Sequence, residues 1–431
     1  MNPSLQARLQ AVIEIAAQRS PFYGALYRGV LEQNAGTEIA LESLPIIDQA
    51  DFWKANTLTH NRLLTGPMSD GVVYKSGGTT GNPKFSVFTR DEWQEFTAAF
   101  GWGLNQGGLR RGERVGNLFY AGELYASFLF VTASLAAAPE PALLLPISGA
   151  TKLEEMAKLL AELEATTLTG APTTILSLAA YLEQHGKTLP SVRKILFGGE
   201  SAYAEQRAYL RHIFNQAEVR SVGYASVDAG LLGYADVECE PGEHRCFDGH
   251  SIIELVDEST EDVIHEMDVP GRILVTNVRR TLMPILRYPA GDRAVWKEPF
   301  GTPNRKFQLL GRAEEGARVG PATLYFEDLM ELLQGLSGDR GGHALSVQNL
   351  QLVIEHEALK DRLIMRVAVS DPAASAAQTS AIAAEVLAKR PMIAELVQKG
   401  FIHEPRVQFV FTHELETNPR TGKVKRVIDR R

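Results

Sequence analysis

From Val115 to the residues after Ser201 the chain repeats one phrase, and that repetition limits its fold more than any other feature: a short apolar run, a tight turn, then a helix-length segment. Val115–Tyr120 precedes the apolar helix pattern Leu124–Ala138, and Ala142–Ile147 precedes a helix across Lys152–Glu164. Thr166–Thr169 runs into Gly170-Ala171-Pro172-Thr173 and a helix to Gln184. Lys194–Phe197 runs into Gly198-Gly199-Glu200-Ser201 and a helix rich in Ala, Tyr and Arg. Strands joined through helices rather than hairpins lie parallel, and both faces of such a sheet are covered. The pattern predicts an α/β fold built on a helix-covered parallel sheet.

Around this centre the pattern changes. Leu9, Val12, Ile13, Ile15 and Ala16 recur at helical spacing, so an amphipathic helix is expected over Leu5–Arg28, with a face available to a homodimer. Strand-like alternation from Gly249 to about Val278 predicts a β subdomain. Beyond Gly311-Arg312 come a helix (Phe326–Leu336), strands (Leu350–Ile354 and Arg362–Val369), a helix (Gln378–Ala388) and a strand (Val407–Phe411). The tail Asn418–Arg431 reads as basic and turn-rich. The expected organisation is a large N-terminal domain, 1–311, with helix-covered sheets and a β subdomain, and a small α+β C-terminal lid domain, 312–431. A chain of 431 residues exceeds one ordinary core, which agrees with two domains.

Charge and cysteine content narrow the partners. The net charge is -8, with acids and bases interspersed, so no basic face for nucleic acid or an anionic membrane is expected. Cys239 and Cys246 are the only cysteines, which suits a reducing cytoplasm. The N-terminus lacks the basic-then-apolar order of a signal peptide. The apolar stretch Tyr125–Ala138 is shorter than the ~20 residues a membrane span needs.

The densest chemistry follows the strand-like Tyr74-Lys75-Ser76. Ser76, Gly77, Gly78, Thr79, Thr80 and Gly81 lead through Asn82-Pro83 to Lys84. Glycines let backbone N–H groups approach a polyanion, hydroxyls add donors, and the lysine supplies a mobile charge. The spacing is not that of the G-x-x-x-x-G-K-S/T loop, because Asn82 and Pro83 separate Gly81 from the lysine. The plain alternative is a polar hairpin turn.

With this loop the chain resembles the acyl-adenylate-forming superfamily of acyl-CoA synthetases, luciferases and adenylation domains. Four further segments follow in that family's order: Phe197-Gly198-Gly199-Glu200, Gly223-Tyr224-Ala225-Ser226-Val227-Asp228, Leu286-Arg287-Tyr288-Pro289-Ala290-Gly291-Asp292 and Leu310-Gly311-Arg312-Ala313-Glu314. The opening Ser20-Pro21-Phe22-Tyr23, Leu44-Pro45 before Asp48, and the closing Pro419-Arg420-Thr421-Gly422-Lys423 to Asp429 resemble the phenylacetate-CoA ligase branch. The resemblance implies that a carboxylic acid attacks ATP to give acyl-AMP and pyrophosphate, and that the acyl group then passes to a thiol.

What it implies for single residues can be set beside a plainer reading. Lys423 is the tail lysine that reaches the α-phosphate during adenylation, or a solvated lysine beside Lys425 and Arg426. Lys84 accompanies it. Asp292 takes the ribose hydroxyls, or is ordinary turn chemistry, and Arg312 holds ribose or phosphates. Gly199, Glu200 and Tyr224 border the adenine, the tyrosine otherwise being core. Asp228, where the family carries Glu, is the Mg2+ ligand, with Val227 in place of the usual Thr. Glu314 is the hinge. Phe119, Tyr120, Ala121, Gly122, Gly170 and Ala171 are candidate walls for the acid, with Ala and Gly leaving room for a ring.

Departures bear on the acceptor. Pro321 falls where a family glycine belongs, and Phe326 replaces a proline, in a segment that lines the thiol's route in the family. Proline removes a donor and fixes φ. The resemblance still implies CoA as acceptor, while these departures speak for the alternative, a phosphopantetheine carrier protein, an amine or a reductase partner; a non-catalytic nucleotide-binding relative is a third reading. Cys239, His244, Cys246 and His250 form a C-x4-H-x-C-x3-H cluster that matches none of the usual zinc pairings, so a polar loop leading into the Ile252 strand is expected there. G-x-S-x-G and H-E-x-x-H are absent.

Overall fold

The computed structural model describes residues 3–34, 37–57, 59–76, 84–122, 124–199, 202, 204–312, 316–335, 347–369, 371–411, 414–416 and 424–431. They fall into two compact units: one spans Met1–Ser76 and Lys84–Gly311, the other contains Arg312–Arg431.

The large unit opens with a helix, Pro3–Arg19, whose Leu9, Val12, Ile13 and Ala16 are buried. That apolar stripe packs into the unit's own core with Ile253, Leu255, Ile273 and Val275, so it is not open to a partner. The helix does not run on to Arg28. Ser20 adopts an extended conformation and caps a second helix, Pro21–Leu26, with Pro21 at its first turn. Ser20 Oγ also donates to the Arg62 carbonyl at 2.9 Å, and the Tyr23 hydroxyl donates to the Pro284 carbonyl at 2.8 Å. The Ser-Pro-Phe-Tyr phrase thus pins the N-terminal helices to the strand that follows Pro284.

Two antiparallel strands, β1 (Val72–Ser76) and β2 (Lys84–Phe88), pair with Ser76 opposite Lys84. A capping box of Thr89 and Glu92 then starts the helix Arg90–Gln106. The predicted parallel sheet follows: β3 (Arg114–Asn117), β4 (Leu143–Leu145), β5 (Thr167–Gly170), β6 (Lys194–Phe197) and β7 (Glu218–Ser221). Their order is β4-β3-β5-β6-β7, every pair parallel. On one face Leu168, Ile195 and Val219 meet the helices Leu153–Glu162, Pro172–Gln184 and Ala204–Ile213. On the other, Val115 and Leu196 meet Phe96, Phe100, Val131 and Leu135 of the helices Arg90–Gln106 and Ser127–Ala137. Burial on both faces is why these strands read as apolar runs without alternation.

A short hairpin, β8 (Tyr224–Ser226) and β9 (Gly230–Gly233), leads to a five-stranded antiparallel sheet. Its strands are β10 (Glu243–Arg245), β11 (Ser251–Val256), β12 (Gly271–Asn277), β13 (Ile285–Trp296) and β14 (Lys306–Arg312), ordered β10-β14-β13-β12-β11. The β subdomain is thus larger than the span read from Gly249 to Val278. His244 lies on β10 and is buried, as is Cys246 just after it, so this part of the Cys/His segment is a buried edge strand and not a polar loop.

The small unit holds a hairpin, β15 (Gly316–Val319) and β16 (Ala322–Tyr325), and a four-stranded sheet. That sheet contains β17 (Val347–Glu357), β18 (Lys360–Val369), β19 (Arg406–Val410) and β20 (Val427–Asp429) in the order β19-β18-β17-β20. The tail is therefore not wholly turn-rich: β20 pairs parallel to β17, with Val427 opposite Leu352. The helices Phe326–Gly335, Thr379–Lys389 and Pro391–Gln398 bury Leu329, Leu333, Ile382, Val386 and Ile393 against this sheet.

Candidate active site

In an open parallel sheet, ligands collect at the carboxyl ends of the strands, where neighbouring connections leave in opposite directions. Here β3 leads to β4 on one side and β5 leads to β6 on the other, so the crevice lies beyond β3 and β5. The candidate acid-pocket residues occupy that edge. Tyr120, Ala121 and Gly122 follow β3, and Gly170 and Ala171 end β5 and begin the helix Pro172–Gln184. Tyr120 is half-buried, while Ala121 and Gly122 are exposed. A Cβ at Gly149 would come within 2.8 Å of the Tyr120 ring, so the absence of a side chain there gives the ring its seat. Gly198 and Gly199 follow β6, and the Gly198 N–H donates to the Gly170 carbonyl at 3.2 Å, holding the two loops edge to edge.

Tyr224 and Asp292, far apart in sequence, meet: the Tyr224 hydroxyl donates to Asp292 Oδ2. Asp292 is carried in by the long β13. Behind the Tyr224 ring stand His244, with centroids 5.8 Å apart, and Phe307, at 6.2 Å. His244 Nε2 lies 2.9 Å from Ser221 Oγ, and the Gly223 N–H donates to the same oxygen at 3.1 Å. Burial pushes the His244 imidazole down to about 4, so it is neutral at pH 7. Ser221 and His244 support the tyrosine, and the motifs do not reveal them. A three-residue strand, Glu243-His244-Arg245, has no apolar residue to betray it.

Ser86 links the strand that carries Lys84 to Asp228. Lys84 and Ser86 are two residues apart on β2 and so share a face. The Ser86 hydroxyl donates to Asp228 Oδ1 at 3.5 Å, and Asp228 sits in the turn joining β8 to β9. Lys84 Nζ lies 5.2 Å above the Trp53 ring, and Trp53 Nε1 donates to the Tyr288 hydroxyl at 3.1 Å. Ser86 is fully buried, so its hydroxyl orients the carboxylate from behind, and the Asp228 carboxylate suits a hard cation that takes one or two carboxylates and fills its remaining positions with water and phosphate. Among the described residues no group of three or more Asp, Glu, His or Cys side chains could enclose a metal.

Gly77, Gly78, Thr79, Thr80, Gly81, Glu200, Glu314 and Lys423 lie outside the described residues. Ser76 and Arg312 are described by their backbones, at the ends of β1 and β14. Pro321 forms the two-residue turn of the β15–β16 hairpin with Gly320, whose φ is +56°. Phe326 opens a helix and is buried, with the Arg426 guanidinium 4.8 Å from its ring.

No protein-family model matches the chain. Its sequence is 22% identical over 378 residues to a phenylacetate-coenzyme A ligase of Thermus thermophilus, covering 85% of this chain and 81% of the relative. It is 27% identical over 255 residues to an indoleacetate–lysine synthetase of Pseudomonas savastanoi, covering 58% and 59%. In three dimensions it is similar to 2-hydroxyisobutyryl-CoA ligase, solved with 2-HIB-AMP and CoA, at a TM-score of 0.77 and 18% identity over 99% of this chain and 89% of that one. The α/β fold of this chain is that of this CoA ligase.

Proposed function

We propose that the chain is an AMP-forming acid–thiol ligase that activates a carboxylic acid as acyl-AMP, releases pyrophosphate, and passes the acyl group to CoA. The observation that carries this reading is the gathering of motif residues in the large unit. Tyr224 with Asp292, and Ser86 beside Lys84 with Asp228, draw together three separate segments of the chain.

Tyr224 offers its ring to the adenine while its hydroxyl fixes the Asp292 carboxylate, which accepts from the ribose hydroxyls. Gly199 and Glu200 border the base, and the Ser76–Gly81 loop, with Lys84, takes the phosphates. As the acid's carboxylate attacks the α-phosphorus, charge spreads over the phosphoryl oxygens. Lys423 meets it there, as a point charge on a flexible stem. Arg312 steadies the ribose or phosphates, and Glu314 is the hinge of a mobile C-terminal lid. Asp228 would hold Mg2+, which supplies charge neutralisation to the phosphates. The acid is aromatic, seated among Tyr120, Ala121, Gly122, Gly170 and Ala171. The relatives named for phenylacetate and indoleacetate support that class.

Carboxylate-dependent exchange of labelled pyrophosphate into ATP, across aryl, arylacetic and fatty acids, tests the reading. Exchange with an aromatic acid is expected, and none with any acid overturns it. Adding CoA and weighing the product then tests the acceptor. A second reading, transfer to an amine, is favoured by the amide-forming relative and by Pro321 in the β15–β16 turn. Acyl-AMP that accumulates in the presence of CoA and is consumed by lysine would select it.

A further inference from the structure

Arg280 sits in the link between β12 and β13, with 2% of its surface exposed, and is among the largest fully buried side chains of the described residues. Its guanidinium binds backbone, not a carboxylate. Nη1 donates to the Asp228 carbonyl at 2.6 Å and reaches the Val227 carbonyl at 3.5 Å, and Nη2 donates to the Val87 carbonyl at 3.2 Å. The guanidinium carbon lies 4.2 Å from the Phe88 ring centroid. One planar cation therefore ties β2, which carries Lys84 and Ser86, to the turn that carries Asp228.

The anchor of Arg280 is itself fixed. Asn277 Oδ1 accepts from the Arg279 and Arg280 N–H groups at 2.9 and 3.1 Å. Glu92 Oε1 accepts from Thr281 N at 2.6 Å, Thr281 Oγ1 at 3.0 Å and Leu282 N at 2.9 Å. Burial brings the Arg280 pKa down to about 10, and the nearby charges of Glu92 and Asp228 oppose that fall, so the cation persists at neutral pH. A buried charge without a direct carboxylate partner is costly, and its retention calls for a task. The fork holds the main chain of Asp228 at β2, where the Asp228 carboxylate accepts from the Ser86 hydroxyl.

We infer that Arg280 is a positioning residue that fixes the Asp228 carboxylate against β2 for the metal–phosphate end of the nucleotide. This rests on the nucleotide- and metal-binding part of the proposed function, not on its chemistry. Arg280→Lys is the informative change, because it keeps the charge and loses the fork. The probe is Mn2+, titrated by electron paramagnetic resonance onto protein loaded with a non-cleavable ATP analogue. The half-saturating Mn2+ concentration should rise about fivefold or more, the scale of a lost hydrogen bond to a charged group. In an Asp228→Ala background the same substitution should add nothing, since it acts through that carboxylate. Phe88→Leu keeps the guanidinium but removes the ring it lies on, and should shift Mn2+ binding in the same sense by about twofold. Unchanged Mn2+ binding in folded Arg280→Lys protein, additivity with Asp228→Ala, or loss of folding in both Arg280→Lys and Phe88→Leu would overturn the inference. Wild-type protein that binds Mn2+ and the analogue yet exchanges no pyrophosphate with any acid would overturn the adenylation reading instead, leaving this one standing.

Discussion

At the residue scale, the contact between Tyr224 and Asp292 joins two motifs that the sequence shows as separate phrases. Each residue is recognisable alone, but nothing in the spacing of residues 224 and 292 says that the phenol serves the carboxylate. Tyr224→Phe should keep the ring and lose the donor to a charged, partly exposed acceptor, an effect of about 1 kcal/mol. The KM for ATP in pyrophosphate exchange should then rise about fivefold with little change in melting temperature; an unaltered KM would sink the proposed role. His244, behind the ring, gives a second handle. Its imidazole is held down at about 4, against an ordinary 6.5. Between those values the unfolded chain binds the extra proton, so this stability is complete above about pH 6.5 and is lost as the pH falls toward 4, by at most about 3 kcal/mol. Melting temperatures from pH 7 to pH 4 should fall more steeply for wild-type protein than for His244→Gln. Equal slopes would show that the buried imidazole does not carry the effect.

At the element scale, legibility followed burial. The strands β3, β5 and β6 stand out because both faces are covered and their apolar runs end in glycine-rich turns. The helix Pro172–Gln184 is signalled by Pro172 at its first position. Short strands with one wet face do not stand out. The strand β20 is three residues long, lies among basic residues, and exists only because Leu352 and Ile354 of β17 offer it an edge. The break at Ser20 was hidden by apolar spacing that continues through Phe22 and Leu26, although Ser-Pro is a sound cap signal. The buried Tyr23 hydroxyl explains what that phrase is for. Tyr23→Phe should strand the Pro284 carbonyl and cost about 1–2 kcal/mol, read as a lower urea midpoint, while the KM for ATP stays as it was. An unchanged midpoint would mean that the N-terminal helices are held by packing alone.

At the scale of the whole molecule, the two units divide the proposed chemistry unequally, which decides how it can be tested. The large unit carries Lys84, Tyr224, Asp228 and Asp292 and lies within the fold shared with the CoA ligase neighbour. Lys423 belongs to the other stretch of chain, and its role rests on the tail Arg420-Thr421-Gly422-Lys423 alone. The two half-reactions should therefore respond differently to its loss. Lys423→Ala removes a cation from the phosphoryl transition state, and formation of acyl-AMP should fall about 100-fold or more. Thioester formation from acyl-AMP supplied ready-made needs no such charge and should fall less than about threefold, because the α-phosphorus is no longer under attack. The hairpin of β15 and β16 is the converse case. Gly320 at positive φ followed by a proline with φ fixed near −65° gives the sign pattern of a turn that suits a two-residue hairpin. Pro321→Gly should leave that turn formed and pyrophosphate exchange intact, while altering the split of acyl groups between CoA and an amine such as lysine. An equal fall in both half-reactions for Lys423→Ala would mean that the tail lysine serves the fold of the small unit rather than adenylation. An unchanged split for Pro321→Gly would move the choice of acceptor away from the hairpin.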